Sequence, residues 1–127
     1  LGVDEMFRFV GSQAQDRLPL FYSAADVVAV PSRYESFGLV AVESMACGTP
    51  VVVSDAVGCA PDLVVTGKTG EVFPVGDTQA LADAVHRVLD APPSHQLVKS
   101  MADAYSVLAT AKGTMVAMEY LVESARR

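Results

Sequence analysis

Short apolar segments alternate with segments of helical periodicity along most of this chain. Residues 7–10 predict a short strand that ends at Gly11. Residues 27–30 and 51–53 are continuous apolar runs, which are typical of strands buried on both faces of a parallel sheet. A further strand is predicted over residues 71–75. Four short strands are therefore expected, and the periodic segments between them supply the helices.

Helical spacing of apolar residues predicts the elements between and after these strands. Residues 16–25 have this spacing. Ser36 is predicted to cap a helix over residues 37–47, which Gly48 ends. The remaining helical segments are a short turn over 61–65, an amphipathic helix capped by Asp77 and ended by Pro92, and two final helices over 96–108 and 114–125.

The order of strands and helices predicts an α/β fold, a Rossmann-like parallel sheet with flanking helices. Ligands of such sheets bind at the carboxyl ends of the strands. Those ends are Gly11, residues 31–32 and residues 54–55. We expect them to meet the helix start at Ser36 in one crevice.

Composition narrows the classes of function that this fold can serve. The chain has 127 residues, enough for one domain, and a formal net charge of −6 with scattered cations. A nucleic-acid surface needs clustered Lys and Arg, so we expect no nucleic-acid partner. No apolar run has the length of about 20 residues that a membrane span needs. Cys47 and Cys59 are expected to be reduced thiols. The first residue is Leu1 and the chain opens as mid-domain sequence, so we expect further sequence upstream.

The loop that leads into the second predicted helix is a candidate anion site. It brings the backbone N–H groups of Ser36, Phe37, Gly38 and Leu39 to a helix start. Free N–H groups at a helix start, together with the helix dipole, favour a diphosphate. Gly38 lacks a side chain, which allows a ligand to approach the backbone. Glu35 comes immediately before this start.

Glu43 lies on the predicted helix among apolar neighbours three and four residues away. No Lys or Arg occurs between Tyr34 and Gly67, so no nearby cation explains the carboxylate, which is costly in such surroundings. It lies about 10 Å along the axis from the cap, roughly the reach from a diphosphate to a ribose. Two vicinal ribose hydroxyls would suit it. The structural alternative is that Glu43 meets a distant Arg or reaches water.

These residues resemble a known family. Glu35 and Glu43 form a Glu-x7-Glu pair. The run Pro-Ser-x-x-Glu-Ser-Phe-Gly-Leu at 31–39 and the run Ala-Cys-Gly-Thr-Pro-Val-Val at 46–52 closely resemble retaining glycosyltransferases of the GT-B fold, family 4 type. The resemblance extends from about residue 7 to residue 89, and the similar enzymes include bacterial mannosyl- and N-acetylglucosaminyltransferases.

The resemblance implies roles for the matching residues. Glu35 would be catalytic: it would contact hydroxyls of the donor sugar and help to stabilise positive charge at the anomeric carbon. The loop 36–39 would hold sugar and phosphate oxygens. Glu43 would bind the ribose, and Gly11 would border the base. In this family no metal is normally required, and no Asp-x-Asp motif is present here; we expect no cofactor.

The resemblance also implies an organisation. Residues 1–93 would be part of the nucleotide-sugar (donor) binding domain, at the C-terminal side of a GT-B enzyme. Residues 94–127 would be helices that pack on that domain or cross to an N-terminal domain that is missing from this chain. That domain would carry the acceptor contacts, and the Arg and Lys that bind diphosphate would also lie upstream. We therefore expect this chain alone to be inactive.

One departure and several alternatives remain. Many relatives have Gly-Gly-x-x-Glu where this chain has residues 58–62, ending in the shorter Asp62, which puts a sugar contact there in doubt. The donor is expected to be a UDP-, GDP- or ADP-sugar, and the parent enzyme is expected in the cytoplasm or at the inner face of the membrane. The alternatives are a non-catalytic nucleotide-binding or interaction domain, and a different GT-B-like enzyme such as an epimerase or phosphorylase.

Overall fold

The computed structural model describes residues 2–126, except for the side chain of Asp4, and has three strands and six α-helices in this part of the chain. Short 3₁₀ turns at Asp4–Met6 and Gln15–Arg17 precede them. In chain order the elements are α1 (Leu18–Ala24), β1 (Val28–Val30), α2 (Leu39–Ala46), β2 (Val51–Ser54), α3 (Ala60–Leu63), β3 (Gly70–Phe73), α4 (Thr78–Asp90), α5 (His95–Asp103) and α6 (Val107–Ala125).

The three strands form one parallel sheet in the order β1-β2-β3. Val28 pairs with Val51 across the first pair of strands, and Val53 pairs with Val72 across the second. All four residues of the central strand β2 are buried. A continuous apolar strand with helices on both faces is the arrangement that the sequence predicts, and the Rossmann-like α/β prediction is confirmed.

Helices cover both faces of the sheet because successive strand residues point to opposite sides. On one face, Val51 and Val53 belong to a core cluster that includes Met45 of α2 and Val98 of α5. On the other face, Val52 packs in a cluster with residues of α4. The helix α2, which carries the candidate site, is therefore fixed between the sheet and α5.

The predicted N-cap of α4 is confirmed. Asp77 Oδ1 accepts a hydrogen bond of 2.9 Å from the backbone N–H of Ala80, which satisfies one of the unpaired donors of the first turn. The buried residues of this helix are Ala84 and Val88, four positions apart on one face. Local capping chemistry and apolar spacing agree here, and both are visible in the sequence.

The strand predicted over residues 7–10 is wrong. The segment has no regular structure, and Phe9 is 96% exposed. A strand of a parallel sheet needs a neighbouring strand for its backbone hydrogen bonds, and none lies beside this segment within residues 2–126. Gly11 consequently follows an exposed segment and not a strand end.

The predicted cap at Ser36 is also wrong. The helix begins at Leu39, and its N-cap is Gly38, with φ of 101° and no side-chain capping bond. The loop before it is held instead by backbone hydrogen bonds to a neighbouring loop, as described below, so it turns into the helix two residues later. The end is confirmed, because Gly48 follows α2 with φ of 84°.

Three further boundaries differ from the prediction. The strand β3 ends at Phe73 and not at 75, since Pro74 has no N–H for the ladder. The helix α5 ends at Asp103 and α6 begins at Val107, where 108 and 114 were expected. Ser106 Oγ caps α6 by accepting from the N–H of Ala109 at 3.2 Å, and a cap at this position starts the helix early.

Candidate functional site

The loop before α2 is joined to the loop after β2 by three backbone hydrogen bonds. The N–H of Glu35 donates to the carbonyl of Ala56 at 3.2 Å, and the N–H of Gly58 donates to the carbonyl of Glu35 at 2.9 Å. The N–H of Cys59 donates to the carbonyl of Phe37 at 2.7 Å. These bonds continue the parallel pairing of β1 and β2 beyond the strands. They fix the backbone on which Glu35 is mounted.

Two glycines allow these loops to pack so closely. A β-carbon at Gly38 would lie 2.6 Å from Val57 Cγ1 and 2.9 Å from Cys59 Sγ, which is closer than such contacts allow. A β-carbon at Gly58 would collide with the carbonyl oxygen of Ser36. Gly38 also has positive φ, which favours glycine. The start of α2 is thus fixed by backbone contacts that side chains would prevent.

The carboxylate of Glu35 turns back onto its own loop. Its Oε1 accepts from the N–H of Phe37 and from the N–H of Gly38, both at 3.2 Å. Both amides belong to the loop 36–39, which is expected to hold ligand oxygens. The N–H groups of Leu39 and Val40 have no hydrogen-bond acceptor in the described part of the chain. The structure therefore shows that this helix start binds carboxylate oxygen and keeps two further donors available.

Cys59 supports this loop from inside the core. It is 1% exposed, and its Sγ lies 3.7 Å from the carbonyl oxygen of Gly38, to which the thiol donates. Burial raises the pKa of the Cys59 thiol, and the charges of Glu35 and Asp62 add to that rise, while a hydrogen bond to its own backbone lowers it. The thiol stays protonated at neutral pH and acts as a structural donor.

Glu43 lies half-buried on the side of α2 that faces α1. Its Oε2 accepts a hydrogen bond of 2.8 Å from the hydroxyl of Tyr22. Its Oε1 receives no hydrogen bond from any residue between 2 and 126. The carboxylate borders a groove of about 280 Å³ between α1 and α2, whose walls are Gln15, Leu18, Pro19, Tyr22, Glu43, Ala46 and Cys47.

Tyr22 is a partner of Glu43 that the sequence did not predict. The sequence suggests ribose hydroxyls as the ligands of Glu43, with a distant Arg or water as the structural alternative. Burial raises the pKa of Tyr22 to about 12, and the hydrogen bond to Glu43 and the charge of that carboxylate contribute next. The phenol is therefore a neutral donor at physiological pH. The one sequence signal for this hydrogen bond was that Tyr22, an aromatic residue with a polar hydroxyl, occupies an apolar position of α1.

The ends of β1 and β2 meet as predicted. Ser54 Oγ donates to the carbonyl of Ser32 at 2.5 Å, which joins the two strand ends at the edge where α2 begins. Gly11 takes no part in this arrangement, since a β-carbon there would have no atom within 4 Å. Ser36 is exposed, and so is Asp62, in the first turn of α3. Two of the three expected strand ends are thus brought together.

Neither glutamate of the site is paired with a cation in the described residues. The ion pair that the structure shows there joins Arg87 to Glu71, which lies on β3 and packs against α4.

Within residues 2–126, no group of three or more His, Cys, Asp or Glu is arranged to hold a metal ion. No helix in that range has the length and apolarity to span a bilayer. The polar groups available for a ligand at this site are carboxylates, amides and the phenol.

The parallel sheet and the glycine-dependent loop at the start of α2 define the class of a Rossmann-like α/β domain. The model of the family "Glycosyl transferases group 1" matches residues 1–104. The chain belongs to this family. The resemblance inferred from the motifs is therefore confirmed.

Similar proteins agree with this assignment. The chain is 50% identical over 88 residues to the D-inositol 3-phosphate glycosyltransferase of Saccharomonospora viridis, a match that covers 69% of the chain and 20% of that relative. Among solved structures, sucrose-phosphate synthase from Thermosynechococcus elongatus has a TM-score of 0.78 at 36% identity, covering 94% of this chain and 32% of the enzyme. Anabaena HepE in complex with UDP-glucose has a TM-score of 0.75 at 27% identity, covering 96% and 34%. The chain thus spans about a fifth of that curated relative and a third of these structures.

Proposed function

We propose that this chain is the donor-binding part of a retaining glycosyltransferase that moves a sugar from a nucleoside-diphosphate sugar to an acceptor hydroxyl. The observation that carries the proposal is the placement of two glutamates around the start of α2. Glu35 is fixed at the amides of that start. Glu43 lies beside an open groove with one carboxylate oxygen not bonded to the described residues.

The start of α2 is the proposed position of the sugar and diphosphate. The N–H groups of Leu39 and Val40 are available there, and the helix dipole favours negative charge. The carboxylate of Glu35 already bonds to the next two amides, so it lies where a sugar hydroxyl or the anomeric carbon would be brought. Preorganised donors of this kind stabilise the charge that develops on a leaving diphosphate.

The groove beside Glu43 is the proposed position of the nucleoside. The residue lies five positions after the N-cap Gly38, about 7.5 Å along the helix axis. The walls from Leu18, Pro19 and Ala46 are largely apolar and suit the faces of a ribose and base. A carboxylate with a free oxygen accepts hydrogen bonds from hydroxyls. Glu43 would therefore bind the ribose, and Gly11 would border the base.

The similar structures support a nucleotide-sugar donor. HepE is solved with UDP-glucose and with UDP, and we carry this donor chemistry to the present chain as part of the proposal. Residues 1–93 would form part of the donor domain, and the helices after them would pack on it or cross to a further domain. Because the relatives are several times longer than this chain, acceptor binding belongs to parts outside it. The free thiols of Cys47 and Cys59 accord with a cytoplasmic enzyme, in solution or at the inner face of the membrane.

Calorimetric titration of UDP, GDP and ADP into the 127-residue chain tests the donor site. We expect saturable binding of one nucleotide and loss of most of that affinity in Glu43→Gln, about tenfold or more because a hydrogen bond to a charged group is lost. Glu119→Gln is the matched control, since it makes the same chemical change on exposed α6. Equal loss in both variants, or binding that Glu43→Gln leaves intact, would contradict the assignment of the ribose site.

The stereochemical part of the proposal needs the longer protein. Proton NMR of the first-formed product should show the anomeric configuration of the donor retained. An inverted product would overturn the retaining assignment while leaving the donor site in place. Glu35→Gln in the same protein should lower kcat much more than it raises KM, because the proposed role of the carboxylate is in the transition state.

A further inference from the structure

Tyr22 is held in place at both of its ends. The hydroxyl of Thr49, which is buried, donates to the carbonyl oxygen of Tyr22 at 2.7 Å. The carbonyl of Thr49 in turn accepts from Ser44 Oγ at 3.1 Å. At its other end the phenol donates to Glu43 Oε2 at 2.8 Å. Hydrogen bonds thus link Ser44 on α2 to Thr49, which lies just before β2, then Thr49 to Tyr22 on α1, and finally Tyr22 to Glu43 on α2.

This arrangement restricts a side chain that would otherwise be mobile. A glutamate has several rotatable bonds, and an exposed one loses rotamer entropy when it is fixed. Here the anchored phenol fixes Oε2, and Oε1 receives no hydrogen bond within residues 2–126. The group that fixes Oε2 is a phenol and not a cation, so within residues 2–126 no ion pair competes with a ligand hydroxyl for the carboxylate. A ligand hydroxyl that reaches Oε1 meets an acceptor already in position.

We propose that Tyr22 is a positioning residue for nucleotide recognition, which orients the Glu43 carboxylate toward the ribose hydroxyls and thereby sets selectivity for ribonucleotides over their deoxy forms. The proposal rests on the proposed function, in which Glu43 binds the ribose. Tyr22 acts through Glu43 and does not itself contact the sugar. Its effect should therefore vanish when either the ribose hydroxyls or the Glu43 carboxylate is absent.

The test compares each nucleoside diphosphate with its 2′,3′-dideoxy form. Calorimetry of the 127-residue chain first identifies which of UDP, GDP and ADP binds, and the matching dideoxynucleotide is then the second probe. Tyr22→Phe should weaken binding of the ribonucleotide by about tenfold, by analogy with metal sites, where the loss of a group that orients a metal ligand costs at least that much. The same variant should leave the affinity for the dideoxynucleotide unchanged. Tyr120→Phe makes the same change on exposed α6 and should alter neither affinity.

Two further variants separate positioning from a purely structural role. The double variant Tyr22→Phe with Glu43→Gln should bind the ribonucleotide no more weakly than Glu43→Gln alone. In the Glu43→Gln background there is no carboxylate for the phenol to orient, so loss of the phenol should have no further effect. Thr49→Val removes the anchor at the backbone end of Tyr22, and it should lower ribonucleotide affinity by about threefold, the effect of one neutral hydrogen bond. This variant also gives a second test if Tyr22→Phe lowers folding yield.

The outcomes distinguish the inference from the proposed function. If Glu43→Gln abolishes selectivity for the ribonucleotide and both Tyr22→Phe and Thr49→Val retain it, the positioning role is overturned and the donor site stands. If all three variants retain selectivity, both are overturned. If Tyr22→Phe weakens the binding of ribonucleotide and dideoxynucleotide equally, the role of Tyr22 is structural and the inference fails. If the wild-type chain binds no nucleoside diphosphate, both fail for this chain.

Discussion

The α-carbon of Gly38 faces Val57 so closely that a β-carbon there would lie 2.6 Å from the valine methyl. This contact joins the start of α2 to the loop after β2. It is possible only because residue 38 has no side chain and adopts a φ of 101°. The position of Glu35, which precedes this glycine by three residues, depends on it.

Gly38→Ala should destabilise the chain by about 3 kcal/mol. Positive φ costs an alanine about 1–2 kcal/mol, and the collision with Val57 and Cys59 adds a cost of overpacking. Urea unfolding monitored by circular dichroism measures the change. Gly67→Ala is the matched control, because Gly67 has φ of 73° but no atom within 4 Å of a β-carbon. It should lose only about 1 kcal/mol, and equal losses would show that packing at Gly38 contributes nothing.

Arg87→Met should destabilise the chain by about 2 kcal/mol. The carboxylate of Glu71 is 5% exposed, and it accepts at 2.9 Å from an arginine that is 54% exposed. Removing the cation leaves a buried charge whose remaining partner is the N–H of Gly67, although the exposure of Arg87 limits the effect. In the double variant with Glu71→Gln the loss should be smaller than the sum of the two single losses. Additive losses in denaturant unfolding would argue against coupling of this pair.

Stability should fall as pH rises from 10 to 12, in part because of Tyr22. Its pKa is about 12 in the folded chain against an ordinary value of 10.0, so the fold favours the protonated phenol. That contribution is complete below pH 10 and is lost as pH approaches the folded pKa. The stability difference between wild type and Tyr22→Phe should therefore shrink across this window. A difference that does not change with pH would contradict the raised pKa.

The same titration can be followed by phenolate absorbance. Glu43→Gln should lower the pKa of Tyr22, because it removes the charge of the hydrogen-bonded acceptor. The pKa should nevertheless stay above 10.0, since burial is the largest cause of the rise. The pKa of Tyr105 is also raised by burial, so subtraction of the Tyr22→Phe curve is needed to isolate Tyr22. An unchanged curve in Glu43→Gln would indicate that the two side chains do not interact in solution.

Deletion of residues 107–127 should change the free energy of unfolding by no more than about 0.5 kcal/mol, as expected of surface changes. None of the described residues of α6 is buried, and Val107 is 88% exposed. Denaturant unfolding of a chain that ends at residue 106 measures this. A loss of several kcal/mol would show that α6 packs on the remainder of the chain in solution. The expected result accords with the proposed alternative in which α6 crosses to a further domain.

The elements that the sequence predicts well are those with local causes. The valines of β2 form an uninterrupted apolar run, and burial on both faces of the sheet follows from that run alone. Asp77 caps α4 through an atom three residues away. Gly48 ends α2 through its own backbone freedom. The family resemblance likewise rests on contiguous motifs, and the matching family model confirms it.

Short-range spacing and contiguous motifs predicted the alternation of strands and helices, the family, and the two glutamates as candidates. That residues 7–10 stay unpaired depends on the packing of the whole chain, since a strand needs a neighbouring strand from elsewhere in the sequence. The same packing decides that Glu43 meets Tyr22, 21 positions away. The carboxylate of Glu35 accepts from the backbone N–H groups of Phe37 and Gly38 because contacts with residues 56–59 shape the loop that carries all three residues. Hydrogen-bond partners far apart in sequence leave no periodic pattern, and they are fixed only when the helices pack.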